Sequence, residues 1–384
     1  MHPAQLARLQ NDPRYRFLRT VEGTRDGIHL RLEGRELIAF CSNDYLGLAH
    51  HPQVVQALQR GAARHGVGSG AAHLVSGHHK AHAALEAELA DFLGRPKALL
   101  FSTGYMANLG VLSALAGRGD RIWEDRLNHA SLIDGARLSG ARLHRYPHGD
   151  LANLRARLAA SGARLIATDG LFSMDGGLAP LPELAALAQQ AGAQLLVDDA
   201  HGIGVLGEGG RGSLEHWGLD GQAVPILVGT LGKAFGTFGA FVAGSEELIE
   251  TLVQRARTYL YTTAPPPALA EATRMSLKLV RREGWRRQRL QTLIQRFRQG
   301  VESLGLPLLP SQTPIQPIVA GSAQRALAWS QALEARGIWV VPIRPPTVPE
   351  GSARLRITLS AAHEDEDLER LLNALAALKP EAGP

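Results

Sequence analysis

Lys233 sits in "VGTLGKAFG" (228–236), a glycine-rich turn that follows an apolar run. Asp198 lies near the end of the apolar run "QLLVDD" (194–199), 35 residues earlier (233 − 198), and His201 follows it by three. An amine, a carboxylate and an imidazole at the ends of two apolar runs form a set that can move protons. A confined lysine acts as nucleophile or base once its amine is neutral.

Two nucleotide-binding readings compete for the same residues. "HGIGVLGEGG" contains G-x-G-x-x-G at Gly202, Gly204 and Gly207. In a dinucleotide fold those glycines open a helix whose N-terminus holds the pyrophosphate. Here they lead into "GEGGRGSLEHWG", which has further glycines and no helical apolar period. The acidic residue expected about 20 positions on should close a strand. Asp220 instead precedes "ILVGT". A phosphate-binding P-loop requires G-x-x-x-x-G-K-[ST]. Ala234 follows Lys233, and Leu227 occupies the first glycine position. Both readings fail on context. Pyridoxal phosphate suits what remains: its aldehyde forms a Schiff base with a lysine, and a carboxylate keeps its ring nitrogen protonated so that the ring accepts electrons.

The elements that must hold these residues are legible in the pattern. Short apolar runs at 98–103, 121–125, 142–146, 164–169, 194–199 and 226–230 read as strands. Helical patterns such as "YMANLGVLSALAG" and "LPELAALAQQAG" lie between several of them. Alternating strands and helices predict an α/β fold with a mostly parallel sheet flanked by helices. Residues 1–44 read as an N-terminal arm: a short helix, then two β runs joined by a turn at Gly34. Residues 45–270 form the large domain, and "APPP" breaks the chain near its end. Residues 271–384 read as a smaller α+β domain, with strands in "IQPIVAG", "IWVVPI" and "RLRITLS", a helix over 323–336 and a closing helix from about 364.

Composition narrows the function. The single cysteine, Cys41, excludes an internal disulfide framework and fits a reducing compartment. "MHPAQLARLQNDPRYRFLRT" lacks the apolar core of a secretory leader, and no apolar run approaches ~18 residues. The expectation is a cytoplasmic protein that spans no membrane. Net charge is +5, from 41 basic and 36 acidic residues, and only five of the basic residues are lysines. No recognition motif accompanies that charge, so nucleic acid is not an expected partner. The densest basic run, 281–300, places Leu290, Leu293, Ile294 and Phe297 at helical spacing. It predicts an amphipathic helix with a solvated arginine face.

Eight segments in order carry a resemblance. They are "SNDYLGL" (42–48), "GSGAAHLVSG" (68–77), "HAALEAELADFLG" (82–94), "DRLNHASLIDG" (125–135), "FSMDG" (172–176), "VDDAHGIGVLGEGGRG" (197–212), "GTLGKAFG" (229–236) and "IRPPTVPEGSARLRITLSAAH" (343–363). From about residue 15 to its end the chain resembles the α-oxoamine synthases, fold-type I pyridoxal-phosphate enzymes of the class-II aminotransferase superfamily. The resemblance implies that Lys233 is the Schiff-base lysine and that Asp198 pairs with the ring nitrogen. It implies that His129 stacks on the ring, and that Ser173 and His201 bond the ring hydroxyl. Amides of Gly104 and Tyr105, with the Thr230 hydroxyl, would hold the phosphate, and Thr262 would reach the phosphate of a neighbouring subunit. "STGYMANLG" agrees, since a strand turning into a helix start offers free N–H groups to an anion. On the substrate side the resemblance assigns Arg356 to an amino-acid carboxylate, and places Arg19, Thr347 and Asn43 near the acyl substrate. It implies a homodimer. The implied reaction is the decarboxylative condensation of L-alanine with pimeloyl-CoA or pimeloyl-acyl carrier protein, a step of biotin synthesis. Glycine C-acetyltransferase, 5-aminolevulinate synthase and a non-catalytic sensor on the same fold are the alternatives.

Two further groups are read as structural. Asp199 adjoins Asp198 and points to the other face of an extended segment. His78, His79 and His82 stand at i, i+1 and i+4, but no carboxylate or cysteine completes a ligand set in the sequence, so no metal is expected.

Overall fold

The computed structural model of the chain describes residues 18–378. The short helix expected at the start of the arm lies outside the described residues. Fourteen strands are described: β1 (Val21–Thr24), β2 (His29–Leu32), β3 (Arg35–Ala39), β4 (Lys97–Phe101), β5 (Arg121–Asp125), β6 (Arg142–Tyr146), β7 (Leu165–Asp169), β8 (Gln194–Asp198), β9 (Ile226–Thr230), β10 (Ala240–Gly244), β11 (Ile315–Gly321), β12 (Ile338–Trp339), β13 (Val341–Ile343) and β14 (Ala353–Thr358). The chain divides into two compact units, one of residues 43–173 and 177–289, the other of residues up to 42, 174–176 and 290 onward.

The larger unit is built on a seven-stranded sheet in the order β4-β10-β9-β8-β7-β5-β6. From β9 to β6 all neighbours are parallel. Strand β10 runs antiparallel to both β4 and β9. Every residue of β7 and β10 is buried, as expected for strands covered on both faces. One core cluster joins Leu99, Val111, Leu112, Leu132, Leu196 and Val228 from strands and helices alike. Six of the seven strands coincide with the expected runs to within two residues at either end. The strand missing from the expectation is β10. "AFVAG" is short, made largely of small residues and follows the glycine-rich lysine turn, so it reads as more turn.

The helix Pro267–Arg282 belongs to this unit, although the expected boundary at 270/271 falls inside it. Its Ala268 lies against the helix Pro52–His65, so close that a Cβ on Gly61 would stand 2.9 Å from the Ala268 Cα. The division falls instead at 289/290, within the helix Trp285–Ser303. That helix buries Leu290, Leu293, Ile294 and Phe297 as its spacing predicts. Its arginine face is not wholly solvated. Arg286 Nη1 donates to the Leu46 carbonyl at 2.9 Å and Arg287 Nη1 to the Val280 carbonyl at 2.8 Å, and both residues are buried. Their guanidiniums close orphan carbonyls at the ends of other segments.

The smaller unit holds two sheets, β1-β2-β3-β12 and β11-β14-β13. The arm is not a separate body, because β3 pairs in parallel with β12 from the C-terminal segment. The run "IWVVPI" divides around buried Val340, so that β12 joins one sheet and β13 the other.

Candidate active site

In an open parallel sheet, groups that meet a ligand gather at the carboxyl ends of the strands. Asp169 and Asp198 end β7 and β8 and are register partners, and Thr230 ends β9. The next turn carries Lys233, half-buried. It is closed by Leu231 N donating to the Gly239 carbonyl at 2.8 Å and Gly236 N to the Lys233 carbonyl at 2.8 Å.

A chain of side chains fixes the Asp198 carboxylate. Asn108 Nδ2 donates to Asp198 Oδ2 at 2.6 Å and to Ser131 Oγ at 2.8 Å. Ser131 Oγ lies 2.7 Å from His129 Nδ1. The Ala200 amide donates to Asp198 Oδ1 at 3.0 Å. His129 itself caps the helix Ala130–Ser139, and its backbone N–H donates to Asp169 Oδ2 at 2.9 Å. Burial lowers the His129 pKa, Asp198 raises it and Lys233 lowers it, so the three charges act on one another. Burial, and then Asp198, hold the Asp169 carboxyl well above the usual carboxylate range.

The phosphate end is a helix start. Thr103 caps the helix Gly104–Leu115, accepting from Met106 N at 3.1 Å through Oγ1. The Ala107 amide turns back to the Thr103 carbonyl at 3.0 Å. Among the described residues the amides of Gly104 and Tyr105 have no backbone partner, and a Cβ on Gly104 would meet no atom within 4 Å. That open cradle, a fixed carboxylate and a lysine in one charge field fit pyridoxal phosphate. The Thr230 hydroxyl donates to the Gly239 carbonyl at 3.1 Å in this arrangement.

His201 is held by a residue that sequence reasoning did not single out. Tyr45 OH lies 2.7 Å from His201 Nδ1 and donates to Asn43 Oδ1 at 3.2 Å. Asn43 is therefore joined to the His201 side of the site. Ser173 lies half-buried just after the bridge residue Leu171. Thr262 precedes Thr263, which bridges Ala72, and makes no hydrogen bond to the Lys233–Asp198 group among the described residues. Asn108, Ser131 and Tyr45 stood inside quoted motifs. Asn108 is one helical turn beyond Gly104, a spacing that could have marked it.

The glycine motif has a structural explanation. Asp199 is fully buried and accepts from Ser213 N at 2.7 Å. A Cβ on Gly202 would stand 2.1 Å from Asp199 Oδ1, and one on Gly204 2.6 Å from the Cβ of Ala234, the neighbour of Lys233. The glycines let the loop close over a carboxylate and under the lysine turn. Burial pushes the Asp199 carboxyl up to about 7.

In the smaller unit, Arg19 and Thr347 line one cavity of about 820 Å³ with Leu327, Trp339, Val340 and Ile343. Arg19 donates to Glu334 at 2.6 Å and to Glu33 at 2.9 Å. Its charge is already balanced by two carboxylates. Arg356 lies buried on β14 opposite Val341 and Pro317.

The model of the family "Aminotransferase class I and II" matches residues 35–375. An 8-amino-7-oxononanoate synthase of Nitrosococcus oceani is 61% identical over 97% of this chain and 99% of its own. One from Pseudomonas aeruginosa is 64% identical over 90% and 86%. Among solved structures, a serine palmitoyltransferase from Sphingomonas wittichii superposes with a TM-score of 0.92 at 33% identity, covering 98% of this chain and 95% of that one. The 8-amino-7-oxononanoate synthase of Francisella tularensis superposes at 0.79 with 34% identity, covering 89% and 97%. The chain belongs to the class I and II aminotransferase family and, within it, to the 8-amino-7-oxononanoate synthases, which are pyridoxal-phosphate-dependent acyltransferases.

Proposed function

We propose that Lys233, Asp198 and His129 carry the condensation of L-alanine with a pimeloyl thioester, borne by coenzyme A or acyl carrier protein. A carbon–carbon bond forms between the alanine α-carbon and the thioester carbonyl, the thiol leaves, and the alanine carboxylate departs as carbon dioxide. The product is 8-amino-7-oxononanoate. Bound pyridoxal phosphate supplies an aldehyde that holds the amino group and a protonated ring that takes up the electron pair.

Lys233 Nζ removes the proton from the alanine α-carbon and returns one after decarboxylation. Asp198, fixed by Asn108 and the Ala200 amide, keeps the proton on the ring nitrogen. The His129 imidazole, oriented by Ser131, would lie against the cofactor ring. His201, with Nδ1 paired to Tyr45, would offer Nε2 to the ring hydroxyl, and Ser173 would serve the same oxygen. The Gly104 and Tyr105 amides and Thr230 receive the phosphate. Arg356 receives the amino-acid carboxylate, for which a planar fork is suited. The cavity beside Arg19 and Thr347, with its apolar walls, suits the methylene chain of the acyl group. The chain works as a homodimer in which Thr262 meets the neighbouring copy's phosphate. Leu74, Val75, Phe238 and Tyr261 stay more than half exposed in the single chain, which supports such an interface.

The observation that carries this reading is the placement of a fixed Asp198 carboxylate at the end of β8 and of Lys233 in the turn after the neighbouring parallel strand β9. The test is the visible spectrum of the holoenzyme, titrated separately with L-alanine and glycine. A band that shifts and saturates on L-alanine, with a weaker response to glycine, is expected. A response chiefly to glycine would move the assignment to the glycine-using relatives. No band in cofactor-supplemented protein would end it.

A further inference from the structure

Three histidines of the larger unit meet away from the lysine. His73 opens a π-helical turn, His73–Gly77, His78 follows that turn, and His82 lies in the first turn of the helix Lys80–Leu93. One ring nitrogen of each lies within 4.8 Å of one on each of the other two. The ring centroids form a near-equilateral triangle, with sides of 5.1, 5.3 and 5.7 Å. Three imidazoles bound to one tetrahedral zinc at ~2.0–2.1 Å have centroids roughly 5 Å apart. We propose that His73, His78 and His82 form a zinc(II) site, with the Glu86 carboxylate supporting His78 from behind.

Nδ1 of His73 and Nδ1 of His78 are 2.9 Å apart. The other nitrogen of His78, Nε2, faces Glu86 Oε2 at 3.6 Å, while the Leu100 amide pins Glu86 Oε1 at 3.0 Å. A carboxylate behind a ligating imidazole is the usual arrangement at a zinc site. His73 is 5% exposed, and its Nε2 is buried without a hydrogen-bond partner. His82 accepts from His79 N at 3.0 Å through Nδ1 and pairs with the Pro265 carbonyl at 2.8 Å through Nε2. Coordination replaces one of those two bonds. The His78 side chain is about a third exposed in the single chain. The sequence spacing suggested His78, His79 and His82. The fold replaces His79, which stands edge-on to His82, with His73. It also supplies the carboxylate that was missing from the linear pattern. None of these residues touches the proposed catalytic groups, so the site stands or falls apart from them.

The test is zinc titration of untagged holoenzyme by calorimetry, with equilibrium dialysis and elemental analysis for stoichiometry. The expected result is one zinc per chain and a melting temperature that rises with zinc. His78→Ala and His73→Ala should each weaken binding at least tenfold. Glu86→Gln should weaken it by about tenfold or more, as supporting carboxylates do elsewhere. His79→Ala should stay within about threefold of wild type. His78→Ala, the most exposed change, is the variant least exposed to misfolding. Absence of saturable zinc uptake, unchanged affinity in His78→Ala, or an equal loss in His79→Ala would each overturn the proposal.

Discussion

Asp198 and Asp199 are neighbours in sequence, both buried, and they sit in two different worlds. Asp198 faces the strand-end cluster, where side chains grip it: Asn108, then Ser131, then His129. Asp199 faces the glycine loop, where backbone closes over it: Gly202, Gly212 and the Ser213 amide. The first environment holds a carboxylate at the end of β8, next to the strand whose following turn carries Lys233. The second leaves no room for anything but glycine. One peptide unit of strand alternation separates a charge available for chemistry from a charge used as a fastener.

The largest expected effect on the catalytic side is Lys233→Ala. Turnover should fall to background with the fold intact by circular dichroism; normal turnover would sink the assignment of the base. Asp198→Asn comes next. It should retain cofactor yet lower kcat by roughly 10²–10³-fold, because the neutral amide no longer holds the ring proton. On the structural side, Gly202→Ala sets a Cβ 2.1 Å from Asp199 Oδ1. It should cost about 1–3 kcal/mol in urea unfolding, with kcat per folded molecule little changed. A variant as stable as wild type would show that the loop yields freely.

Asn108→Ala probes the link between the two. It is a positioning residue, so kcat should fall about tenfold with KM for L-alanine nearly constant. An unchanged kcat would show that the Ala200 amide alone fixes Asp198. The smallest effect is the pH dependence. Asp199 titrates near 7 when folded, against an ordinary value of 3.8. Between those values the folded chain holds a proton that the unfolded chain releases, so stability falls as pH rises through about 4 to 7. Glu86 and Glu124, raised by burial to about 7 and about 8, add slopes of the same sign. The Asp199 share is isolated by difference. The melting temperature of Asp199→Asn should gain a few degrees on wild type between pH 5 and 8. Parallel curves would remove Asp199 as the cause.

Much of this was legible before folding. The parallel strands announced themselves as five- or six-residue apolar runs, and Lys233 and Asp198 stood at two of their ends. What was hidden depended on contact rather than pattern. Asn108 is one of few polar residues in a largely apolar helix, and only the approach of β8 shows why it is there. The role of Gly204 depends on Ala234, thirty residues away. Arg286 and Arg287 looked like solvent residues in a basic run, yet they cap carbonyls of other segments. Strand β10 was missed because its small residues carry little signal, and its place is fixed by β4 and β9 on either side.

The most direct measurement is exchange of the L-alanine α-proton in deuterated water, followed by NMR, for wild type, Asp198→Asn and Asp199→Asn holoenzymes. Exchange should fall about a hundredfold or more in Asp198→Asn and stay within about threefold of wild type in Asp199→Asn. Equal losses in the two variants, or none in Asp198→Asn, would contradict the division of labour between the two carboxylates.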